Sequence, residues 1–266
     1  MPVAKRFMVM GAPIAHSLSP MIHAQFAAQT GRDVVYETCL LDRVHFEQQV
    51  RDFFAAGGMG LNITSPGKER AFAMADVKTP RCAVARAANT LWMNQVGQLC
   101  ADNTDGVGLV RDLYHHGINL VNARILVLGA GGAARGILPA LLDEHPRYVA
   151  IANRTASRAE ALIQSLESTK LSYRPLDAVT GSYDLILNAT STSRGLSAGS
   201  SLSGEPFCYD LNYNTSGSTA FVTWASKAGF RAVDGLGMLV QQAAEAFYVW
   251  HGVRPETRYL FLKFRA

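Results

Sequence analysis

Residues 124–134 read Arg-Ile-Leu-Val-Leu-Gly-Ala-Gly-Gly-Ala-Ala. An apolar run enters a glycine turn, and a helical pattern follows. Strand, tight turn and helix in that order form the fingerprint of a dinucleotide-binding unit. Gly129 permits the sharp turn, and Gly131 lets the backbone approach a pyrophosphate. Ala134 is small enough for the helix to pack on the strand, with Ala130, Gly132 and Ala133 completing the turn. The start of the helix offers unpaired N–H groups and the positive end of its dipole to an anion.

The next strand, 148–152, ends in Asn153-Arg154-Thr155. In NAD-binding units an acid stands here, about 20 residues past the turn, and bonds the ribose 2′-hydroxyl. This chain has Arg154 instead, with Arg158 one helical turn on. Guanidinium grips a phosphate bidentately, where a carboxylate would repel it. Arginine is also common at solvated helix starts. Its place after this turn favours a 2′-phosphate, and so NADP(H) over NAD(H).

Strand-like and helix-like segments alternate along the chain, which predicts an α/β fold with mainly parallel sheets. Strands are expected at 7–10, 34–38, 59–62, 88–92 and 97–100, the last two as a pair joined by a turn, then near Ile125, Val149, Leu185 and Tyr209. Helices are expected from Ser19, taken as N-cap with Pro20 at the first helical position, to Thr30. Others are expected at 45–56, 68–76, 105–116, 156–168, 218–228 and 237–250. The Ser- and Gly-rich stretch 191–205 reads as a mobile loop, and the segment after Pro255 as packing back on the first half. No internal repeat is present; the halves are unlike.

At 48% hydrophobic and 17% charged, the 266 residues can build real cores. The net charge of +4 comes from scattered basic residues, which disfavours nucleic acid and suits small anionic ligands. Cys39, Cys82, Cys100 and Cys208 form no C-x-x-C pair and read as buried free thiols. His115 and His116 are adjacent and do not share a helix face, so no metal is expected. No apolar run suggests a leader or a membrane span, and a cytoplasmic monomer or homodimer is expected.

Four clusters in the first half carry small polar groups at strand ends or turns: Ser17-Leu-Ser19, 62–68 (Asn-Ile-Thr-Ser-Pro-Gly-Lys), Ala88-Asn89-Thr90 and 102–106 (Asp-Asn-Thr-Asp-Gly). Such ends face the ligand crevice of α/β sheets. Lys68 and Asp105 are their strongly ionisable candidates, and as a pair they could move a proton while a nicotinamide moves a hydride. Taken singly, each residue has a plain structural explanation. Ser19 suits a cap, Thr64 suits a cap of the following helix, and Asp105 suits a helix start.

With these motifs in view, the chain resembles the shikimate dehydrogenase family over nearly its whole length. The most specific stretches are 11–20, 102–106, 153–155, 188–191 (Asn-Ala-Thr-Ser) and 234–240 (Asp-Gly-Leu-Gly-Met-Leu-Val). The resemblance implies reversible reduction of 3-dehydroshikimate to shikimate with NADPH, within chorismate and aromatic amino acid biosynthesis. It implies a substrate domain of 1–104 and 239–266, a Rossmann-type NADP domain of 105–238, and an active site in the cleft between them. By this likeness Ser17 and Ser19 would hold the substrate carboxylate, with Tyr213 nearby. Thr64, Asn89 and Gln242 would bond the hydroxyls, and Lys68 and Asp105 would form the catalytic pair. Gly129 to Ala134 would hold the diphosphate, and Asn153, Arg154, Thr155 and Arg158 the adenosine phosphate. Thr190, Leu211, Gly235 and Met238 would approach the ribose and nicotinamide.

Two positions depart from the family pattern. Gly67 replaces a bulky residue before the lysine and is expected to loosen the backbone there; Arg86 replaces a glycine and is expected to bring a long cation near the site. The rival expectations are a quinate or quinate/shikimate dehydrogenase and, outside the enzymes, an NADP(H)-sensing module. Retention of both Lys68 and Asp105 counts against the sensor.

Overall fold

The structure is a computed structural model, and it describes residues 5–190 and 200–265. The chain divides into two compact units, Met1–Leu109 with Leu239–Ala266, and Val110–Met238.

The first unit begins β1 (Lys5–Gly11), α1 (Ser19–Thr30), β2 (Val34–Leu40), α2 (Phe46–Ala55), β3 (Gly60–Ile63) and α3 (Lys68–Met74). It continues β4 (Val77–Lys78), α4 (Pro80–Ala85), β5 (Thr90–Met93) and β6 (Leu99–Asp102), and α5 (Asp105–His115) leads out of it. The sheet order is β2-β1-β3-β5-β6-β4. The sheets are mainly parallel, as expected: β1 runs parallel to β2 and β3, and β4 to β6, while β5 alone is antiparallel to its neighbours β3 and β6, forming with β6 the expected strand pair joined by a turn. The cause is local. Asn94 Oδ1 accepts from the backbone N–H of Val96 and Gln98, and Gly97 takes φ +78°, so the chain reverses within a short hairpin. β4 and α4 carry too few residues to show a period, and sequence reading passed over both.

The second unit continues β7 (Arg124–Leu128), α6 (Gly132–Asp143), β8 (Tyr148–Asn153), α7 (Ala156–Leu166) and β9 (Leu171–Pro175). Then come β10 (Thr180–Ser182), β11 (Leu185–Asn188), β12 (Ser201–Ser203), β13 (Phe207–Asp210), α8 (Ala220–Lys227) and β14 (Ala232–Val233). Its main sheet is wholly parallel in the order β14-β13-β11-β7-β8-β9, a Rossmann-type arrangement. Apolar β7, β8 and β11 are buried on both faces, as helix-covered parallel strands must be. Strand order reverses at β7, with β8 on one side and β11 on the other, so the crevice opens at the carboxyl ends of β7 and β11. Residues 201–203 of the stretch expected to be a mobile loop form β12, paired with β10. Residues 191–199, including Ser191 of the family motif, lie outside the described residues.

The chain re-enters the first unit along α9 (Leu236–His251) and ends in α10 (Arg258–Arg265). Ile22 and Phe26 of α1 pack with Val240, Ala244 and Phe247 of α9 and with Leu260 and Phe261 of α10. The apolar stripe of the last segment therefore buries against the first unit. On the other face of the first sheet, Phe46, Val50 and Phe53 of α2 cover Met10, Leu61, Ile63 and Leu91. Among the described residues no helix is long and apolar enough to cross a membrane.

Candidate active site

Lys68 opens α3 and Asp105 opens α5. Lys68 Nζ donates to Asp105 Oδ2 over 2.6 Å, with the two side chains 14% and 5% exposed. The carboxylate gains from the dipole at its helix start, whereas an ammonium at the start of α3 does not. Its partner offsets that cost. An ammonium carries three donors; Asp105 takes one, and the other two have no partner among the described residues. They are available to a substrate oxygen.

Asn89 fixes the carboxylate. Its buried Nδ2 donates to Asp105 Oδ1 at 2.8 Å and to Thr104 Oγ1 at 2.9 Å. Its Oδ1 accepts from the Thr104 N–H at 2.9 Å and the Thr90 hydroxyl at 2.9 Å. Gln242 of α9 brings Oε1 to 3.3 Å from Asn89 Nδ2, and its own Nε2 is held by the Leu239 carbonyl at 2.9 Å. Four expected site residues, Lys68, Asn89, Asp105 and Gln242, thus share one hydrogen-bonded cluster.

Behind this cluster lie Asp102, Asn103 and Asn62, which belong to the polar clusters of the sequence, and Thr79, Arg81, Glu245 and Tyr36, which sequence reading did not single out. Asn103 Oδ1 accepts from the Asp105 N–H at 3.0 Å, and the Asn103 N–H donates to Asp102 Oδ1 at 2.7 Å. Asp102 is buried and gripped by Arg81 through both Nε and Nη2, with Thr79 adding its hydroxyl. Arg81 also donates through Nη1 to Glu245 at 3.0 Å. On the opposite flank, Asn62 Nδ2 donates to the Asn89 carbonyl at 2.9 Å and the Thr90 hydroxyl at 3.1 Å, and Asn62 Oδ1 accepts from Tyr36 at 2.6 Å. Spacing carries no signal for Arg81 or Tyr36. Each is more than 20 positions from the group it holds, on a different element.

Ser19 is not a helix cap: Leu18 occupies the N-cap position, and no side chain caps α1. Ser19 is buried, and its hydroxyl lies beside the Tyr36 phenol. Ser17 Oγ accepts from the Ser19 N–H at 3.3 Å, so the two serines form one local turn. Thr64 follows β3 with its N–H on the Met10 carbonyl; Gly67, not Thr64, occupies the N-cap of α3. Gly67 stands in a tight place. It has ordinary helical angles, and an added Cβ would meet Leu41 at 2.7 Å and Ile63 at 2.8 Å. Arg86 ends α4 with φ +50°, a left-handed position that suits glycine, and it is exposed. Cys39 is part-exposed rather than buried, while Cys82, Cys100 and Cys208 are buried; all four are free. Burial pushes the Cys82 thiol up to about 12, well away from a reactive thiolate.

In the second unit, Gly129 follows β7 with φ +106°, and a Cβ there would sit 3.1 Å from the Ala189 carbonyl and Thr190. The turn therefore requires glycine for both conformation and space. Gly131 caps α6 in an extended conformation, and nothing lies within 4 Å of an added Cβ. The first turn of α6 carries no acid, Ala130 is buried, and Ala134 is buried against the sheet. Gly132 and Ala133, both half-buried, lead into that turn. Asn153 ends β8 and donates to the Thr155 carbonyl at 2.8 Å. Arg154 and Arg158 are exposed, with no partner among the described residues. An open glycine turn, an acid-free helix start and two unpaired guanidiniums fit a dinucleotide with an extra phosphate.

Thr190 donates to Asn188 Oδ1 at 2.7 Å. Leu211 bonds the Asn188 carbonyl at 2.9 Å, and Gly235 packs against the Leu211 carbonyl, where an added Cβ would stand 2.4 Å away. Met238 is buried at the start of α9. These four residues lie on the segments that follow β11, β13 and β14. Tyr213 belongs to the second unit, on the half-buried segment after β13, whereas the other expected substrate residues belong to the first.

Comparison with known proteins matches three family models in succession. Residues 9–91 match a shikimate dehydrogenase substrate binding domain, 112–203 a shikimate/quinate 5-dehydrogenase, and 235–259 a shikimate 5′-dehydrogenase C-terminal domain. A shikimate dehydrogenase (NADP(+)) of Legionella pneumophila strain Philadelphia 1 is 52% identical over 258 residues, covering 96% of each chain. The crystal structure of an Ael1 enzyme from Pseudomonas putida superposes with TM-score 0.86 at 39% identity, covering 98% of each chain. A shikimate 5-dehydrogenase from Thermus thermophilus, solved with NADP(H) and shikimate, superposes with TM-score 0.83 at 32% identity, again over 98% of each chain.

Proposed function

The chain belongs to the shikimate dehydrogenase family, and from that premise we propose that it reversibly reduces 3-dehydroshikimate to shikimate with NADPH. Residues 1–104 and 239–266 form the substrate domain in this reading, and residues 105–238 the NADP domain. The protein acts in the cytoplasm, as monomer or homodimer. The observation that carries the reading is the buried 2.6 Å pair of Lys68 and Asp105, with two lysine donors left over.

Bound NADPH supplies the hydride to the ketone carbon. The chain supplies the proton and the placement. Lys68 and Asp105 act as one couple: Nζ faces the substrate oxygen, protonates it as it becomes an alkoxide, and takes the proton back in the oxidative direction. Asn89 holds the Asp105 carboxylate and, with Gln242 and Thr64, bonds the ring hydroxyls. Ser17 and Ser19 receive the carboxylate, and Tyr213 adds a hydroxyl close to it. Gly129, Ala130, Gly131, Gly132, Ala133 and Ala134 cradle the diphosphate. Asn153, Arg154, Thr155 and Arg158 surround the 2′-phosphate, and Thr190, Leu211, Gly235 and Met238 flank the ribose and nicotinamide.

Initial rates on shikimate and on quinate, each with NADP⁺ and with NAD⁺, test this reading. Shikimate with NADP⁺ is the expected pair. Faster oxidation of quinate would reassign the substrate. Cofactor binding without hydride transfer would turn the protein into a sensor.

A further inference from the structure

Two buried side chains of the second unit, Tyr209 and Asp112, meet beside one backbone N–H. Tyr209 of β13 is fully buried; its hydroxyl donates to Asp112 Oδ2 at 2.7 Å and accepts from the Met238 N–H at 3.1 Å. Asp112 of α5 is also fully buried, and its Oδ1 has no hydrogen-bond partner among the described residues. The carboxylate is pressed against the first turn of α9. A Cβ built on Gly237 would lie 2.1 Å from Oδ1 and 2.3 Å from Oδ2. That turn is the positive end of the helix dipole, which favours a negative charge beside it. Burial, and then the Asp112 charge, hold the Tyr209 phenol well above its usual range, so the hydroxyl stays a donor. His116 Nε2 lies 3.6 Å from the same carboxylate.

The arrangement is costly as mere packing. An apolar pair at 112 and 209 would fill the space without burying a charge. Glycine at the second position of a helix gives up helix propensity. Both costs are accepted where a single contact, Met238 N–H to Tyr209, is held in place. We propose that Asp112 and Tyr209 are positioning residues, which fix the first turn of α9 and so set the Met238 backbone against the nicotinamide. This rests on the assignment of Met238 to the cofactor made above. Gly237 serves the same purpose by leaving room for the carboxylate.

Tyr209→Phe in the full-length enzyme is the test, read by steady-state kinetics and by the primary isotope effect with NADPH deuterated at the transferred position. Loss of one hydrogen bond to the Met238 backbone is expected to lower kcat about tenfold. The isotope effect should rise, and KM for 3-dehydroshikimate should stay within about twofold. Phe221→Leu, in the apolar core of the same unit, controls for destabilisation: it should lower Tm and leave the isotope effect alone. Tyr209→Phe behaving like that control overturns the proposal. Should Tyr209→Phe fail to fold, Gly237→Ala sets a methyl against the carboxylate and must give the same kinetic pattern; wild-type kinetics there overturn the proposal too. Wild-type protein with no NADPH-dependent reduction defeats the proposed function and this inference together, whereas an active wild type with indifferent variants defeats only the inference.

Discussion

In the first unit the polar groups around Lys68 are already joined to one another. Asp105 is held by the Asn89 side chain and by Asn103 through its own N–H, Asn89 by Thr90 and Thr104, and Asp102 by Arg81. In the second unit the glycine turn is bare: an added Cβ on Gly131 would meet nothing within 4 Å, and Arg154 and Arg158 are exposed, with no partner among the described residues. The contrast follows from the two tasks. A proton donor must be oriented before the ligand arrives, because a misplaced donor costs rate directly. A phosphate brings its own charge and acceptors, and backbone N–H groups with mobile guanidiniums organise around it. On this view the first unit concentrates turnover, and the second concentrates affinity.

The largest expected effect tests the first half of that contrast. Lys68→Ala should lower kcat by roughly 10²–10⁴-fold, with KM for shikimate changing far less. NADPH absorbance follows both. Turnover near wild type would remove Lys68 from the chemistry and leave the buried ion pair a structural one.

Arg81→Met comes next and asks whether the organisation of the first unit depends on its outer shell. The change strips the bidentate partner from Asp102, whose side chain is 2% exposed, and one partner from Glu245. A buried charge left unpaired typically costs about 3–5 kcal/mol. Urea unfolding should show that loss, and kcat should fall with it, because Asp102 orients Asn103 and Asn103 the Asp105 N–H. Full stability in the variant would mean that the network is decoration around an independently rigid dyad.

The second half of the contrast is tested by Arg154→Ala combined with Arg158→Ala. Loss of charge-assisted contacts to a 2′-phosphate should raise KM for NADPH by about tenfold to hundredfold, or about 1–3 kcal/mol. KM for NADH should hardly move. Both residues are exposed, with no partner among the described residues, so stability should change by less than about 0.5 kcal/mol. Equal losses with both cofactors would place these arginines elsewhere than at the extra phosphate.

The same division governs what the amino-acid order revealed. The cofactor unit was legible because its signals are local. Gly129, Gly131 and Arg154 lie on one βαβ stretch, and spacing alone relates them. The Lys68–Asp105 couple was legible only as two polar clusters at strand ends, and its 2.6 Å contact spans 37 positions. Asp112 reads as an ordinary polar residue of an amphipathic helix, and nothing near it in sequence points to Tyr209, 97 positions away. Ser19 was mistaken for a cap because Ser-Pro is a helix-start signal wherever it occurs. In the fold its hydroxyl lies beside Tyr36 of β2. The β5–β6 hairpin, by contrast, was legible as a strand pair joined by a turn, because its signal lies within one short stretch of the chain.

Acid provides the mildest test, and it acts on the first unit through a residue outside the site. His23 is 1% exposed, stacked 4.1 Å from the Tyr36 ring, and neither ring nitrogen has a partner among the described residues. Burial first, and then the neighbouring His251, lower its pKa from 6.5 to about 3. His251 is itself lowered to about 4, chiefly by burial and then by Arg32 and Lys5. The folded chain keeps both rings neutral in a range where the unfolded chain binds protons. Stability is therefore fully present above pH 6.5 and declines as pH falls from there toward 3, by at most about 1.4 kcal/mol per pH unit for each histidine. Between pH 7 and pH 6 the loss should be under about 1 kcal/mol for each histidine, steepening below. Trp92 and Trp250 report on the first unit and Trp224 on the second, so single-tryptophan variants separate the two during urea unfolding. The first-unit signal should shift to lower urea on acidification, and His23→Phe should flatten its slope. A pH-independent first unit between pH 7 and pH 5 would mean that water reaches His23 and that the core behind Ser19 and Tyr36 is looser than its stacked rings imply.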